Sequence, residues 1–383
     1  MAISFYVHIP FCRKKCYYCD FNSYAGLEGL FQPYIEAMAR EISYLAQFPE
    51  PEAGETLYFG GGTPSLLSPE LIGRVIESIK ENFGLLCDAE ITLEANPGTV
   101  ARSSLEALLS MGVNRLSLGA QSFHEDELAL LGRIHNSEEI KKAFQEAREA
   151  GFSNVNLDFI YGIPFQSLEK WRITLEKALE LAPEHLSLYA LTLEEGTSLA
   201  QKVALGEIPR PDEDLAADMY CLAEEMLEKA GYEHYEISNW AKPGFACRHN
   251  LRYWLNLPYL GFGAGAHSFR WGMRWHNILE PREYIRILSS PEIRGFPSPV
   301  ACEVETITLP VEMAETVILG LRLVKEGLSF EEFRRRFGRD FWEIYGPQAE
   351  ELLELGLLER SERGIRLSPR GRLLGNEVFQ RFI

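Results

Sequence analysis

Three thiols, Cys12, Cys16 and Cys19, stand within eight residues, directly after the apolar run Phe5-Tyr6-Val7-His8-Ile9-Pro10. Cysteines this close cannot satisfy disulfide geometry with one another, and an odd group leaves one over, so soft-metal ligation is the chemistry they suggest. Structural zinc takes four ligands, and a four-iron cubane held wholly by protein takes four cysteines. Three thiolates on a 4Fe-4S cluster would leave one iron open to another ligand. Zinc with His8 or Asp20 as fourth ligand, and a loop without metal, stay open as alternatives.

Other unusual residues recur at intervals. Gly60-Gly61-Gly62-Thr63-Pro64 follows one apolar run, Glu94-Ala95-Asn96-Pro97 the next, then Gln121-Ser122, Asp158 with Tyr161, and Thr192. The glycine triplet either makes a tight turn or removes side chains so that backbone can approach a ligand, and its place beside the cysteine strand favours the ligand. Glu94 and Asp158 are embedded in apolar sequence, where an unpaired carboxylate is costly, so both require partners. Arg133, after Gly132, reads equally well as a cation closing a helix.

The elements that must position these groups are strands alternating with helices. Strand-like runs cover 3 to 9, 56 to 60, 90 to 95, 115 to 119, 154 to 160 and 185 to 191; helical patterns cover 31 to 47, 69 to 82, 101 to 110, 137 to 150 and 168 to 180. About six βα units follow. Parallel strands need both faces covered, and six units are more readily curled into a complete or partial barrel than left flat. In a barrel all the strand ends named above share one face, where barrel enzymes place their chemistry.

With 383 residues, 46% hydrophobic and 25% charged, the chain has room for one barrel-sized domain and a smaller one. No apolar run approaches the roughly 20 residues that span a membrane. The N-terminus shows no basic region followed by an apolar stretch, and seven cysteines, four of them scattered singly, suit a reducing compartment; a cytoplasmic location is expected. A formal charge of -18 argues against a nonspecific grip on nucleic acid or anionic lipid.

The Cys-x3-Cys-x2-Cys spacing, with Tyr18 before the last thiol, resembles the signature of the radical SAM superfamily, in which S-adenosylmethionine chelates the open iron. Its ribose hydroxyls and ammonium suit carboxylates, and its carboxylate suits a guanidinium. Tyr6 through Phe21, the GGGTP segment, Leu118 to Phe123, Gly132-Arg133-Ile134-His135 and Leu157 to Pro164 together resemble the oxygen-independent coproporphyrinogen III oxidases and their haem-chaperone relatives. The resemblance runs nearly the whole chain. It implies an α/β fold, a radical SAM (partial TIM-type β/α) barrel with a small C-terminal winged-helix-like domain. It implies that Cys12, Cys16 and Cys19 hold the cluster, that Tyr6, Gly62, Glu94, Gln121, Arg133 and Asp158 contact S-adenosylmethionine, and that Tyr18, Thr63, Pro64 and Thr192 lie near the cofactors.

Two departures favour the chaperone branch. Phe21 stands where the oxidases carry a fourth cysteine, and the chain starts only eleven residues before Cys12, without the oxidases' N-terminal extension. Arg248-His249-Asn250-Leu251-Arg252-Tyr253-Trp254 also contains the His-Asn-x-x-Tyr-Trp motif of that branch. On this reading His249 reaches a haem iron while Tyr253 and Trp254 stack on the porphyrin, the alternative being a buried histidine that is merely hydrogen-bonded; Cys247 is either an inert thiol or a soft co-ligand. His267, after Gly261-x-Gly263-x-Gly265-Ala266, is either a structural residue closing the barrel mouth or a functional one. The implied partners are haem and client haemoproteins, respiratory ones among the candidates, with a homodimer left open. The runner-up is a coproporphyrinogen III oxidase performing oxidative decarboxylation.

The expected domains are a barrel core over 1–230, a closing segment over 231–307 and a C-terminal domain over 308–383. In the last, helical patterns at 311 to 325, 329 to 336 and 346 to 355 precede two short strands flanking Glu362-Arg363-Gly364, the shape of a winged helix. Arg334-Arg335-Arg336 invites a nucleic-acid reading. Residues 311–383, however, carry 12 Lys or Arg against 13 Asp or Glu, a poor electrostatic footprint for it.

Overall fold

The computed structural model describes residues 2–48 and 53–383. In the main sheet, β1 (Ile3–Ile9), β2 (Gly54–Gly61), β3 (Leu85–Ala95), β4 (Arg115–Gln121), β5 (Val155–Tyr161) and β6 (His185–Ala190) lie side by side and parallel. Between them run α1 (Phe31–Leu45), α2 (Pro69–Asn82), α3 (Arg102–Ser110), α4 (Glu125–Leu131), α5 (Ser137–Ala150) and α6 (Leu168–Leu181). The local sequence explains the boundaries. Helix α5, for example, starts at a reciprocal cap in which Asn136 and Glu139 each accept the other's backbone N–H at 2.9 Å, and it stops at Gly151, whose φ of 106° few other residues tolerate.

The sheet continues beyond this core. After α7 (Ser198–Ala204) and α8 (Glu213–Lys229), β7 (Glu233–Glu236) and β8 (Asn239–Ala241) add antiparallel beside β6. After α9 (Arg248–Trp254), β9 (Tyr259–Phe262) returns to pair parallel with β1, a seventh parallel strand absent from the sequence reading. Then β10 (His267–Arg270), β11 (Met273–Asn277) and β12 (Ala301–Thr306) continue antiparallel, with α10 (Pro281–Leu288) inserted before β12. Among the described residues the order is β12-β11-β10-β9-β1-β2-β3-β4-β5-β6-β8-β7, and the two outer strands do not pair with each other; the barrel is partial.

Each core strand has an apolar face and a polar face. Ile3, Phe5, Val7 and Ile9 pack with Tyr34, Ile35, Met38 and Ile42 of α1 in the main core. On the opposite face, Ser4 accepts a hydrogen bond from Thr56 at 2.8 Å, and Tyr6 stacks on Tyr58. The concave side of the sheet is therefore lined with hydroxyls, carboxylates and a buried guanidinium, Arg115. Buried polar groups persist only with partners, so this lining is a network or a binding site.

The C-terminal part has its own core, built from Val317, Phe333, Phe341, Leu352 and Ile365 among others. It comprises α11 (Leu309–Gly320), α12 (Phe330–Phe337) and α13 (Phe341–Glu354) with a small sheet in which β13 (Leu328–Ser329) and β14 (Leu358–Arg360) flank β15 (Gly364–Leu367). Arg274 of β11 grips Glu315 of α11 through both guanidinium nitrogens, at 2.5 and 2.8 Å, joining this part to the sheet. Arg336, one of the three consecutive arginines, is committed to Glu312 and to the Leu255 carbonyl.

Candidate functional site

The strand ends surround a cavity of about 430 Å³. Cys12, Cys16, Cys19, Tyr18, Gly62, Thr63, Glu94, Gln121, Arg133, Asp158 and Thr192 all line it. Three other sequence-expected residues do not. Tyr6 is turned to His8, its hydroxyl 3.0 Å from Nδ1; Pro64 is buried at the start of a 3-10 turn behind Thr63; and His249 lies at the far end of the barrel.

The thiol loop is held from several sides. The backbone N–H groups of Gly62 and Thr63 donate to the carbonyls of Ile9 and Phe11 at 2.9 and 2.8 Å, bringing the glycine segment against the loop's base. A Cβ on Gly62 would lie 2.6 Å from the Phe11 carbonyl oxygen and 3.0 Å from the Cys12 sulfur, so the position demands glycine. Thr63 Oγ1 donates to Cys12 at 3.8 Å, and Arg133 Nη1 donates to Cys16 at 3.4 Å while Nη2 bonds the Gly119 carbonyl at 3.0 Å and Asn96. Arg133 is thus a spoke between thiol and strand ends, not a helix-end cation.

All seven cysteines are free, and the three in the loop are partly accessible. Burial pushes the Cys12 and Cys19 thiols up, a cost that ligation to a metal removes by displacing the proton. His8 does not complete a zinc site: its Nδ1 faces Tyr6 and its Nε2 faces the Asn22 carbonyl at 2.9 Å. Among the described residues no three His, Cys, Asp or Glu side chains converge as ligands of one ion would. Three thiols, each able to take its own iron, with donors aimed at two of the sulfurs, fit an iron-sulfur cluster.

Beyond the loop lie two buried carboxylates. Glu94 accepts from the Tyr58 hydroxyl at 2.8 Å and the Gly61 N–H at 3.2 Å; Asp158 accepts from Ser117 at 3.0 Å and Asn156 at 2.8 Å. Burial, reinforced by the negative charge of Asp158, pushes Glu94 up to about 7, and burial raises Asp158 as well. A cationic ligand would relieve both. Gln121 is held at φ 63° beside an irregularity in the β4–β5 pairing, and its Oε1 is buried without a partner. Strain and an orphaned acceptor together mark a ligand-facing residue.

Sequence reasoning missed Arg115, Ser117, Asn156 and Ser187, which also line the cavity. The signal was present in the alternation of Arg115, Ser117, Gly119 and Gln121 along β4, which puts all four on one face.

His249 departs from the expectation most clearly. It is 1% exposed, with Thr56 Oγ1 2.7 Å from Nδ1 and Tyr253 Oη 3.0 Å from Nε2. No ring nitrogen is left for an iron, and burial pushes its pKa down to about 3, so the imidazole is a neutral strut. Glu90 secures the same helix, accepting the N–H groups of Arg248 and His249 at 3.0 Å each. The motif anchors α9 against the barrel floor and presents only Asn250 to the cavity.

A partial parallel barrel with a three-cysteine loop at its mouth defines a radical SAM protein. The model of the radical SAM superfamily matches residues 6–178, and that of the HemN C-terminal domain matches residues 307–374. The chain is 36% identical to "Heme chaperone HemW" of Bacillus subtilis, covering 99% of each chain, and 37% identical to the protein of that name from Lactococcus lactis, covering 99% and 97%. It is also 37% identical to "Radical S-adenosyl methionine domain-containing protein 1, mitochondrial" of Mus musculus, over 96% of this chain and 84% of that one. The solved structure of coproporphyrinogen III oxidase (HemN) from Escherichia coli superposes with a TM-score of 0.85 at 26% identity, over 100% of this chain and 90% of that one. Within the radical SAM superfamily, the chain belongs to the HemW family.

Proposed function

We propose that this protein is a haem chaperone, which binds haem and passes it to client haemoproteins while carrying a 4Fe-4S cluster and S-adenosylmethionine in its barrel mouth. The observation that carries this reading is similarity to proteins named heme chaperones over 99% of the chain, through the regions beyond the cluster loop as well as the loop itself. Phe21, 64% exposed on the cavity rim, adds to it by placing an apolar surface where the oxidases have a thiol.

In the cavity, Cys12, Cys16 and Cys19 would hold three irons, and Arg133 and Thr63 would stabilise the thiolates by hydrogen bonding to sulfur. A bound cluster supplies one-electron chemistry toward S-adenosylmethionine. Glu94 and Asp158 take the ligand's ammonium and hydroxyls, Gln121 offers its unpartnered oxygen, and Gly62 gives the backbone access to it; Tyr18 and Thr192 close the sides. Tyr6 and Pro64 act from behind this lining. Seven free cysteines support work in a reducing compartment, proposed as the cytoplasm. Among the described residues no helix is long and apolar enough to cross a membrane. The homodimer and the identity of the clients stay proposals of the sequence.

The second reading, oxidation of coproporphyrinogen III, rests on the fit to the oxidase structure over the whole chain. One sample separates the two. Anaerobically reconstituted protein should bind about four irons, lose them in a Cys12→Ser variant, and bind haem with transfer to an apo-haemoprotein. Turnover of coproporphyrinogen III by the reduced, cofactor-loaded protein would overturn the chaperone reading.

A further inference from the structure

We propose that His267 is the axial ligand of the carried haem, and its only protein ligand. The inference rests on the chaperone reading and deepens it by assigning the iron to a place.

A histidine that binds haem iron must offer a ring nitrogen free of protein hydrogen bonds and reachable by a flat macrocycle. The chain has eight histidines, all within the described residues. Both nitrogens are engaged in His8, His185, His234, His249 and His276. His135 gives one nitrogen to a backbone carbonyl and buries the other; His124 keeps one nitrogen free, but it is held at the start of α4 to the Lys170 carbonyl of α6, in the helix layer and away from the cysteine loop. Only His267, among the described residues, has neither nitrogen hydrogen-bonded, and it is exposed.

Its surroundings suit a porphyrin. His267 opens β10, with His276 as its partner on β11 and Cys302 next across on β12. Asn22 of the cysteine loop reaches the carbonyls of Ala264 and Leu279 at 3.1 and 3.0 Å, which brings that loop to the start of the strand. Phe21, which precedes Asn22, and Leu279, whose carbonyl Asn22 holds, are 64% and 50% exposed and offer apolar surface beside this contact. The His267 and His276 rings are 5.4 Å apart and tilted by 42°. Directly paired residues on adjacent strands share one face of the sheet, so a macrocycle cannot pass between the two rings, and His276 is tied to Glu303 at 3.3 Å and to the Asn277 carbonyl. The sixth position therefore stays open for a ligand from the client, so that the iron can be captured before it is released.

The test uses full-length, cluster-loaded protein with His267→Ala and His267→Gln. Haem titration should show a loss of about tenfold or more in affinity in both variants. Resonance Raman of the ferrous complex should lose its iron–imidazole stretch, and added imidazole should restore it in His267→Ala. Iron content of the cluster should be unchanged, which reports that the variants fold. Haem bound by wild type and by both variants with the same affinity and the same spectrum overturns the assignment and leaves the chaperone reading standing. Wild-type protein that binds no haem overturns both.

Discussion

At the floor of the barrel His249, Thr56, Tyr253 and Glu90 spend their hydrogen-bonding groups on one another and on the backbone of α9, whereas at the mouth Gln121 Oε1 and Arg133 Nε are buried with no partner. The residue types are similar, and both regions face inward. The difference lies in saturation. A polar cluster whose partners are all protein is architecture, and one left short is waiting for something else to supply the missing bonds. By that measure His249, the centre of the most conspicuous motif in the sequence, is a brace.

Perturbing the mouth should abolish function at little cost to the fold, and perturbing the floor should do the reverse. The largest effect is expected for Gly62→Val, whose side chain would collide with the Phe11 carbonyl and the Cys12 sulfur. Near-complete loss of cluster iron after reconstitution, with a native circular dichroism spectrum, is the expected outcome; a full iron complement would show that the loop yields. At the floor, Glu90→Ala strips the acceptor from two buried N–H groups of α9 and should cost about 4 kcal/mol in urea unfolding. A loss below about 1 kcal/mol would mean that the brace is dispensable.

Glu94 gives a prediction in pH. Its folded pKa of about 7 lies above the unfolded value near 4.3, so between those limits the folded state holds the extra proton and stability falls as pH rises. Its contribution is fully present below about 4.3 and gone above 7, a difference of about 4 kcal/mol, and Glu94→Gln should flatten the part of it that falls between pH 5 and 8 in unfolding of the cofactor-free protein. An identical slope in the variant would assign the dependence elsewhere, with Glu41, also pushed up to about 7 by burial, the next candidate. The smallest effect belongs to Tyr253→Phe, which removes one hydrogen bond from His249 and should cost about 1 kcal/mol without altering cluster content. A spectral change at the cluster would show that floor and mouth are not separable.

Much of the frame was legible because each core strand pairs one apolar face with one polar face. The run 3 to 9 is β1 as read, and α2 and α5 match residues 69 to 82 and 137 to 150 at both ends. Strand β3 starts at Leu85, five residues before the reading, because Leu86, Cys87 and Asp88 are exposed and carry no burial pattern. Helix α11 stops at Gly320, short of the expected 325. The short strands between residues 231 and 307 went unread for a different reason: at three to six residues each they are too short to show a periodicity. At the site, eleven of the fourteen residues expected from motif and position line the cavity. What could not be read was hydrogen-bond occupancy. Thr56 is almost two hundred residues from His249, and only folding reveals that it consumes a ring nitrogen.

Asn22 carries one more implication, in the order of events during synthesis. Its side chain is pinned by the carbonyls of Ala264 and Leu279, and its own carbonyl faces His8. The thiols are made within the first twenty residues, yet the loop that bears them lacks these anchors until Leu279 has left the ribosome. A nascent chain therefore displays its three cysteines long before it can seat them against these carbonyls.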